Sequence, residues 1–253
     1  MRLGIGCVFL GVSLGCSVQV EPDVEVAREA VRLHEFDVDF RACTEFAGIG
    51  LVPRANAAPF VPAGYTLAGD ASNAIIVVRV SRCQSATIDG KSTGELKVAQ
   101  VGITLAGPDT TADINNYTVY FASDEQKLLT PLKKVGIDGE KIKDIGFTFA
   151  SNGALSINVD PKHDADYRVL GTAVAASAAP TVFTASWWHD KSNSQQVRMR
   201  TVFPAIRFGT SSMTLTTPAG SELASLIGGT SLTFPVLDSY NAFPNAHMEV
   251  DTL

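Results

Sequence analysis

Basic charge is scarce and scattered in this chain, long apolar runs are missing, and the common catalytic signatures are absent. Twenty Lys and Arg stand against twenty-six Asp and Glu, for a formal net charge of −6. No run of Lys and Arg forms a stripe able to neutralise phosphates, which argues against nucleic-acid binding and against electrostatic docking on an anionic membrane surface. There is no Gly-rich phosphate loop, no Gly-x-Ser-x-Gly elbow and no His-x-x-x-His pair. His34, His163, His189 and His247 are too dispersed to suggest a metal site, and neither Cys43 nor Cys83 has a Cys or His at metal-ligand spacing. No metal and no cofactor is expected.

What is present begins with apolar material. Of 253 residues 45% are hydrophobic, enough for one large β domain or two small ones. At the N-terminus, Arg2 precedes an apolar stretch from Leu3 to Leu14. That stretch is shorter than the ~20 residues a bilayer span needs and suits the core of an export signal. Gly15-Cys16 closes it in the manner of a bacterial lipobox, although Ser13 stands where Leu is usual. Cys16 is therefore the expected lipidation site, with residues 1–15 as signal peptide; the other reading is a plain secretory signal cut a few residues later. Either way the mature chain is expected in the cell envelope or secreted, with the lipid as its membrane contact.

Cysteine usage agrees. With Cys7 in the removable segment and Cys16 assigned to lipid, Cys43 and Cys83 remain, a pair expected to form a disulfide in an oxidising compartment; two buried thiols are the alternative.

Glu21 to Phe36 reads as an amphipathic helix, placing Val24, Ala27 and Val31 on one face, so residues 16–44 are expected to form a tether plus helix ahead of a β-rich domain at 45–253. Strands follow from Ala74 to Val80, Leu96 to Leu105, Asn116 to Ala122, Ile145 to Ala150, Ala154 to Val159, Tyr167 to Ala175, Thr181 to Trp188, Gln196 to Phe203, Ser231 to Leu237 and Ala246 to Val250. Helices are expected from Ser123 to about Lys134 and from Pro218 to Gly228. The fold class is mainly β (α+β), a closed antiparallel β barrel or sandwich with two or three short helices.

Chemistry has few places to sit. Trp187 and Trp188 are neighbours on a strand and must point to opposite faces, so at most one lines an interior. Arg198 and Arg200 share a strand face; turned inward they would hold a carboxylate, and turned outward they are surface charges. Arg207, flanked by apolar residues, is expected to be buried and paired with Glu222, Asp113 or a ligand carboxylate. Asn116 and Tyr117 open an apolar strand and either meet a ligand or cap a sheet edge.

The order of these segments carries a resemblance. Val61-Pro62-Ala63-Gly64 precedes a valine-rich strand ending near Arg82; then come a long alternating strand, Asn115-Asn116-Tyr117-Thr118, a helix from Asp124 and a Gly-led segment at Gly136. This pattern, over roughly residues 51–250, resembles the acetoacetate decarboxylase-like superfamily. The resemblance implies a closed antiparallel barrel around an apolar cavity and a lysine that forms a Schiff base with a ketone. Where the family has Gly-Phe-Pro followed by paired lysines, this chain has Gly136-Ile137-Asp138-Gly139-Glu140-Lys141-Ile142-Lys143. Proline and the adjacent pair are missing, and Lys141 is the nearest catalytic candidate.

The leading expectation is an exported barrel that binds a small, partly apolar ligand bearing a carboxylate or carbonyl, using Arg207, Asn116, Tyr117, Trp188, Arg198 and Arg200. A divergent Schiff-base lyase and an envelope lipoprotein without a ligand are the alternatives. Oligomeric state is not readable.

Overall fold

Alternation of apolar and polar residues dominates from the first described strand, where Phe36, Val38 and Phe40 are buried and Asp37 and Asp39 between them are not. The computed structural model describes residues 32–160, 166–191 and 195–253. In chain order these form β1 (Leu33–Pro53), α1 (Arg54–Ala57), β2 (Asn73–Ile88), β3 (Lys91–Ser92), β4 (Leu96–Thr104) and β5 (Ile114–Ser123). Next are α2 (Gln126–Lys134), β6 (Glu140–Lys141), β7 (Gly146–Phe149), β8 (Ala154–Val159) and β9 (Tyr167–Val174). The chain finishes with β10 (Thr181–Lys191), β11 (Gln195–Ile206), β12 (Thr210–Thr216), α3 (Glu222–Ile227), β13 (Ser231–Thr233) and β14 (Leu237–Thr252).

Seven of the strands close a barrel in the order β1, β14, β11, β10, β5, β4, β2 and back to β1, with β3 and β6 as additions at its edge. A ring with an odd number of strands cannot alternate direction all the way round. One joint must be parallel, and it is β5–β10, where Ile114–Tyr117 lie against Ala185–Trp188. The other six are antiparallel. Closure leaves no free edge in the ring.

A second antiparallel sheet, ordered β13-β12-β9-β8-β7, covers part of the barrel's outer face. Ile76, Val78, Val80, Ala99 and Val101 on the outside of β2 and β4 pack with Leu155, Ile157, Val169, Met213 and Leu215 of this sheet. The layers approach closely: a Cβ on Gly48 would fall 2.5 Å from the Phe234 ring. Helix α3 joins this layer through Leu223, Leu226 and Ile227; Ser221 caps its start, and Gly228, at φ 74°, ends it.

The inward cluster contains Val77, Val98, Phe121, Ala185, Trp187, Met199, Phe203 and Phe243, and α2 adds Leu128, Leu129 and Leu132 to it. Cys43 and Cys83 are register partners on β1 and β2 and are disulfide-bonded within this cluster.

The N-terminal expectations need one correction. Residues 1–31 lie outside the described residues, which takes the signal segment, Cys16 and most of the 21–36 helix with them. The last part of that helix, Leu33–Phe36, is extended, and residue 45 falls inside β1, so the β domain begins at least twelve residues earlier than expected. The period-2 pattern of Phe36-Asp37-Val38-Asp39-Phe40 overrides the helical spacing of the charges before it. Likewise β14 is much longer than its expected 246–250 segment, and β12 was not anticipated at all.

Candidate functional site

Lone polar residues within apolar strands converge inside the barrel. On β1 the inward residues are Cys43, Glu45, Ala47 and Ile49; on β2 they include Val77 and Arg79. β5 contributes Ile114 and Asn116, β10 Phe183, Ala185 and Trp187, β11 Phe203 and Ile206, and β14 Asn241. Together with Phe208 and Leu237 these line a cavity of about 50 Å³. At roughly 10–15 Å³ per water, it holds a few waters or a ligand of a handful of heavy atoms. Ile49, Ile114, Phe183, Phe208 and Leu237 are half-buried and form the rim; Glu45, Asn116, Trp187, Phe203 and Asn241 are buried.

The wall is almost wholly apolar, with one ion pair. Arg79 donates from Nε to Glu45 Oε2 at 2.7 Å, and its second nitrogen sits 2.6 Å from the same oxygen. Its remaining NH2 group donates to Gln100 Oε1 at 3.1 Å, and the guanidinium carbon lies 5.8 Å from the centre of the Phe203 ring. Two buried ions tolerate this setting because each meets its partner at hydrogen-bond distance.

Two donors are left over. Asn116 and Trp187 are direct partners across the parallel joint. Asn116 uses its side-chain oxygen to accept from Thr104 at 3.1 Å, while its Nδ2 and the Trp187 Nε1 are buried without a partner. An unmade hydrogen bond at such a site costs about 1–3 kcal/mol. Carried by neighbouring residues of an apolar lining, these groups suit an acceptor oxygen.

No protein-family model matches the sequence, and no curated protein matches it. Solved structures do. Enduracididine biosynthesis enzyme MppR complexed with pyruvate aligns over 95% of this chain and 96% of its own, at 11% identity and TM-score 0.54. Acetoacetate decarboxylase from Legionella pneumophila subsp. pneumophila str. Philadelphia 1 aligns over 87% and 90%, at 9% identity and TM-score 0.55. An acetoacetate decarboxylase-like enzyme from Sphingomonas wittichii RW1 aligns over 86% and 91%, at 10% identity and TM-score 0.53. This is an acetoacetate decarboxylase-like fold.

Within this acetoacetate decarboxylase-like barrel the residues singled out from sequence scatter. Asn116 lines the chamber. Tyr117 and Trp188 are on the opposite face of their strands, in an outer cluster with Leu105 beneath Tyr65 and Leu67. Of the two tryptophans it is Trp187 that faces inward. Trp188 donates to Asn115 Oδ1 at 3.0 Å.

Arg198 and Arg200 also point outward, yet they are not solvated surface charges. Arg198 donates to Asp109 Oδ2 at 3.2 Å and Asp251 Oδ2 at 3.0 Å, and its guanidinium carbon lies 5.9 Å from the Trp188 ring centre. Arg200 Nε is 3.8 Å from Asp109. Burial pushes the Asp109 carboxyl up, but hydrogen bonds from Thr111 and Ser186 and the charge of Arg198 outweigh it and hold the group below the usual carboxylate range. The network clamps the 105–113 loop over the parallel joint.

Arg207 is exposed and donates to the Ala178 carbonyl at 3.1 Å, which corrects the expectation that its apolar neighbours bury it. Those neighbours, Ile206 and Phe208, turn toward the chamber and leave Arg207 on the outer side. Lys141 is exposed on the edge strand β6, and no lysine lines the chamber among the described residues. Sequence reasoning missed Glu45 and Arg79, and of the tryptophan pair it chose Trp188 where Trp187 lines the chamber. A signal for Arg79 existed: it is a single charge inside Ile75-Ile76-Val77-Val78-Arg79-Val80, a run apolar on both faces, where any charge is buried and needs a partner.

Proposed function

We propose that this chain is an exported binding protein whose barrel chamber takes a small, partly apolar molecule bearing a carbonyl or carboxyl group. The observation that carries the reading is that two register partners in the lining of an otherwise apolar cavity, Asn116 and Trp187, each hold a buried donor without a partner, Nδ2 and Nε1. An acceptor oxygen of the guest meets these donors while its alkyl part packs on Phe183, Phe203 and Ile206. A solved structure of similar fold was complexed with pyruvate, a molecule of suitable size.

Export is supported by the Cys43–Cys83 disulfide, a bond that persists in oxidising compartments, and by the apolar stretch from Leu3 to Leu14. Cys16 is the proposed lipid attachment point. Labelling of cells with a palmitate analogue gives a tagged protein if this is right, and Cys16→Ala removes the tag; an untagged wild type rejects the anchor.

The binding reading is tested by titrating the purified protein with small ketones, aldehydes and carboxylic acids. A saturable change in tryptophan fluorescence together with a rise in melting temperature is expected for at least one compound. No response across the panel rejects the reading. Borohydride added with a keto acid separates it from a Schiff-base lyase. Unchanged protein mass is expected, because Lys141 is outside the chamber.

A further inference from the structure

Arginine recognises a carboxylate through the edge formed by Nε and one terminal nitrogen, which present parallel donors to its oxygens. In the chamber that edge of Arg79 is already occupied. Both of its nitrogens converge on Glu45 Oε2, at 2.7 and 2.6 Å, and the other terminal nitrogen is held by Gln100. The protein has thus supplied its own carboxylate to the one cation that lines the cavity among the described residues.

We propose that Glu45 sets the ligand class of the chamber: it fills the carboxylate-binding edge of Arg79, so the site takes uncharged carbonyl compounds and turns small acids away. The proposal rests on the chamber being a ligand site and specifies what enters it.

Charge is the first argument. Among the described residues Glu45 and Arg79 are the only charged ones in the lining, so the pair leaves the chamber neutral. An entering carboxylate would bring an unmatched negative charge beside a buried Glu45 and would lose its hydration with no free cation to replace it. A ketone, aldehyde, ester or amide carries no such charge.

Geometry is the second. Glu45 is 5% exposed and sits on β1 between register partners Asn241 on β14 and Ser81 on β2. It has no solvent to swing into, so a guest acid cannot displace it from Arg79 at low cost.

The leftover groups are the third. The unpartnered donors, Asn116 Nδ2 and Trp187 Nε1, are both neutral. A neutral donor pair matches the partial charge of a carbonyl oxygen and offers a full anion no countercharge.

The test uses the full purified chain and pairs of compounds matched in size, pyruvamide with pyruvate and 2-butanone with propionate, followed by ligand-observed NMR at one pH and salt concentration. For the wild type, the neutral member of each pair is expected to bind at least tenfold more tightly. Glu45→Gln removes the countercharge from the Arg79 edge without changing side-chain size, leaving a neutral amide that an acid can displace, and is expected to reverse the order in favour of pyruvate by a similar factor. The double variant E45Q/R79Q buries no charge and is the safeguard if E45Q alone does not fold. It is expected to keep the neutral compound and still refuse the acid.

Wild-type protein that binds pyruvate as tightly as pyruvamide overturns the proposal and leaves the chamber reading standing. So does an unchanged order in E45Q, or a double variant that prefers the acid. Wild-type protein that binds neither member of either pair removes the chamber reading and the proposal with it.

Discussion

Trp187 and Trp188, neighbours in the chain, lie on opposite sides of the barrel wall: the first lines the chamber and the second is sealed under Tyr65 and Leu67 outside it. These are the only tryptophans in the chain, so the two faces can be read separately. Trp188→Phe is expected to keep the ligand-induced fluorescence change, and Trp187→Phe to lose it. The measurement is emission during titration of each variant, and the reverse assignment would place the guest outside the barrel.

Gly102 makes room for that inward ring. A Cβ at this position would lie 2.6 Å from Trp187 Cζ3 and 2.6 Å from the Tyr117 carbonyl oxygen. The backbone contact cannot yield by a side-chain rotation, so the strand or the indole must move. Gly102→Ala is expected to cost about 1–3 kcal/mol, the usual range for overpacking. In a domain of this size that lowers the melting temperature by roughly 3–10 °C. Ligand response should fall with it, because the displaced ring enters the cavity.

The Cys43–Cys83 bond closes a loop of 40 residues between the two strands that carry Glu45 and Arg79. In the chain-entropy account a loop of this length contributes about 4 kcal/mol. The double variant C43A/C83A is therefore expected to melt on the order of 10 °C lower than the oxidised wild type. Both cysteines are nearly inaccessible, at 3% and 2% exposure. Reductant without denaturant should accordingly leave the wild-type melt unchanged over minutes, while reductant with denaturant should reproduce the variant's loss.

Acid stability reports on Asp109. Its carboxyl releases a proton more readily in the native state than in the unfolded chain, since burial is outweighed by Thr111, Ser186 and Arg198. On acidification the unfolded form, with a value of about 3.9, takes the proton first. The stability that Asp109 contributes is thus complete above about pH 5 and is lost as pH falls through the lower native value. Asp109→Asn is expected to be less stable at neutral pH, by about 2 kcal/mol for a charge-assisted hydrogen-bond set. That gap from the wild type should narrow between pH 5 and pH 3. Asp124 and Asp166, raised by burial, act in the opposite sense but are present in both proteins and cancel in the difference.

Much of this architecture was legible from residues alone. β8 matches its expected span, the ends of β4 and β9 fall within one residue of theirs, and Gly228 stops α3 as its left-handed conformation requires. The disulfide followed from counting cysteines. Orientation was harder. On β1 the inward residues are Phe36, Val38 and Phe40 and then Cys43 and Glu45, because the pleat switches side at Ala42, whose φ is 49°. Even-to-odd switches of this kind defeat extrapolation of alternation along a strand. The same limit applied to the tryptophans. That they face opposite ways follows from strand geometry, but which one faces in is decided by how β10 meets β5, a pairing between residues some seventy positions apart. Arg198 and Arg200 were a third case: their partners, Asp109 and Asp251, come from a loop and from the last strand, and only closure of the barrel brings them together.

The odd strand number leaves the ring with a weak seam. The parallel joint pairs only Ile114–Tyr117 with Ala185–Trp188, whereas β1 runs against β14 from Leu33 to Ile49. Asn116 and Trp187 stand on the two sides of that seam, so a guest gripping both works as a clasp that ties them together. Occupancy is expected to slow amide hydrogen exchange on β5 and β10 well before it affects β1 or β14. A filled chamber would then be a mechanically sounder barrel, stitched shut by its own cargo.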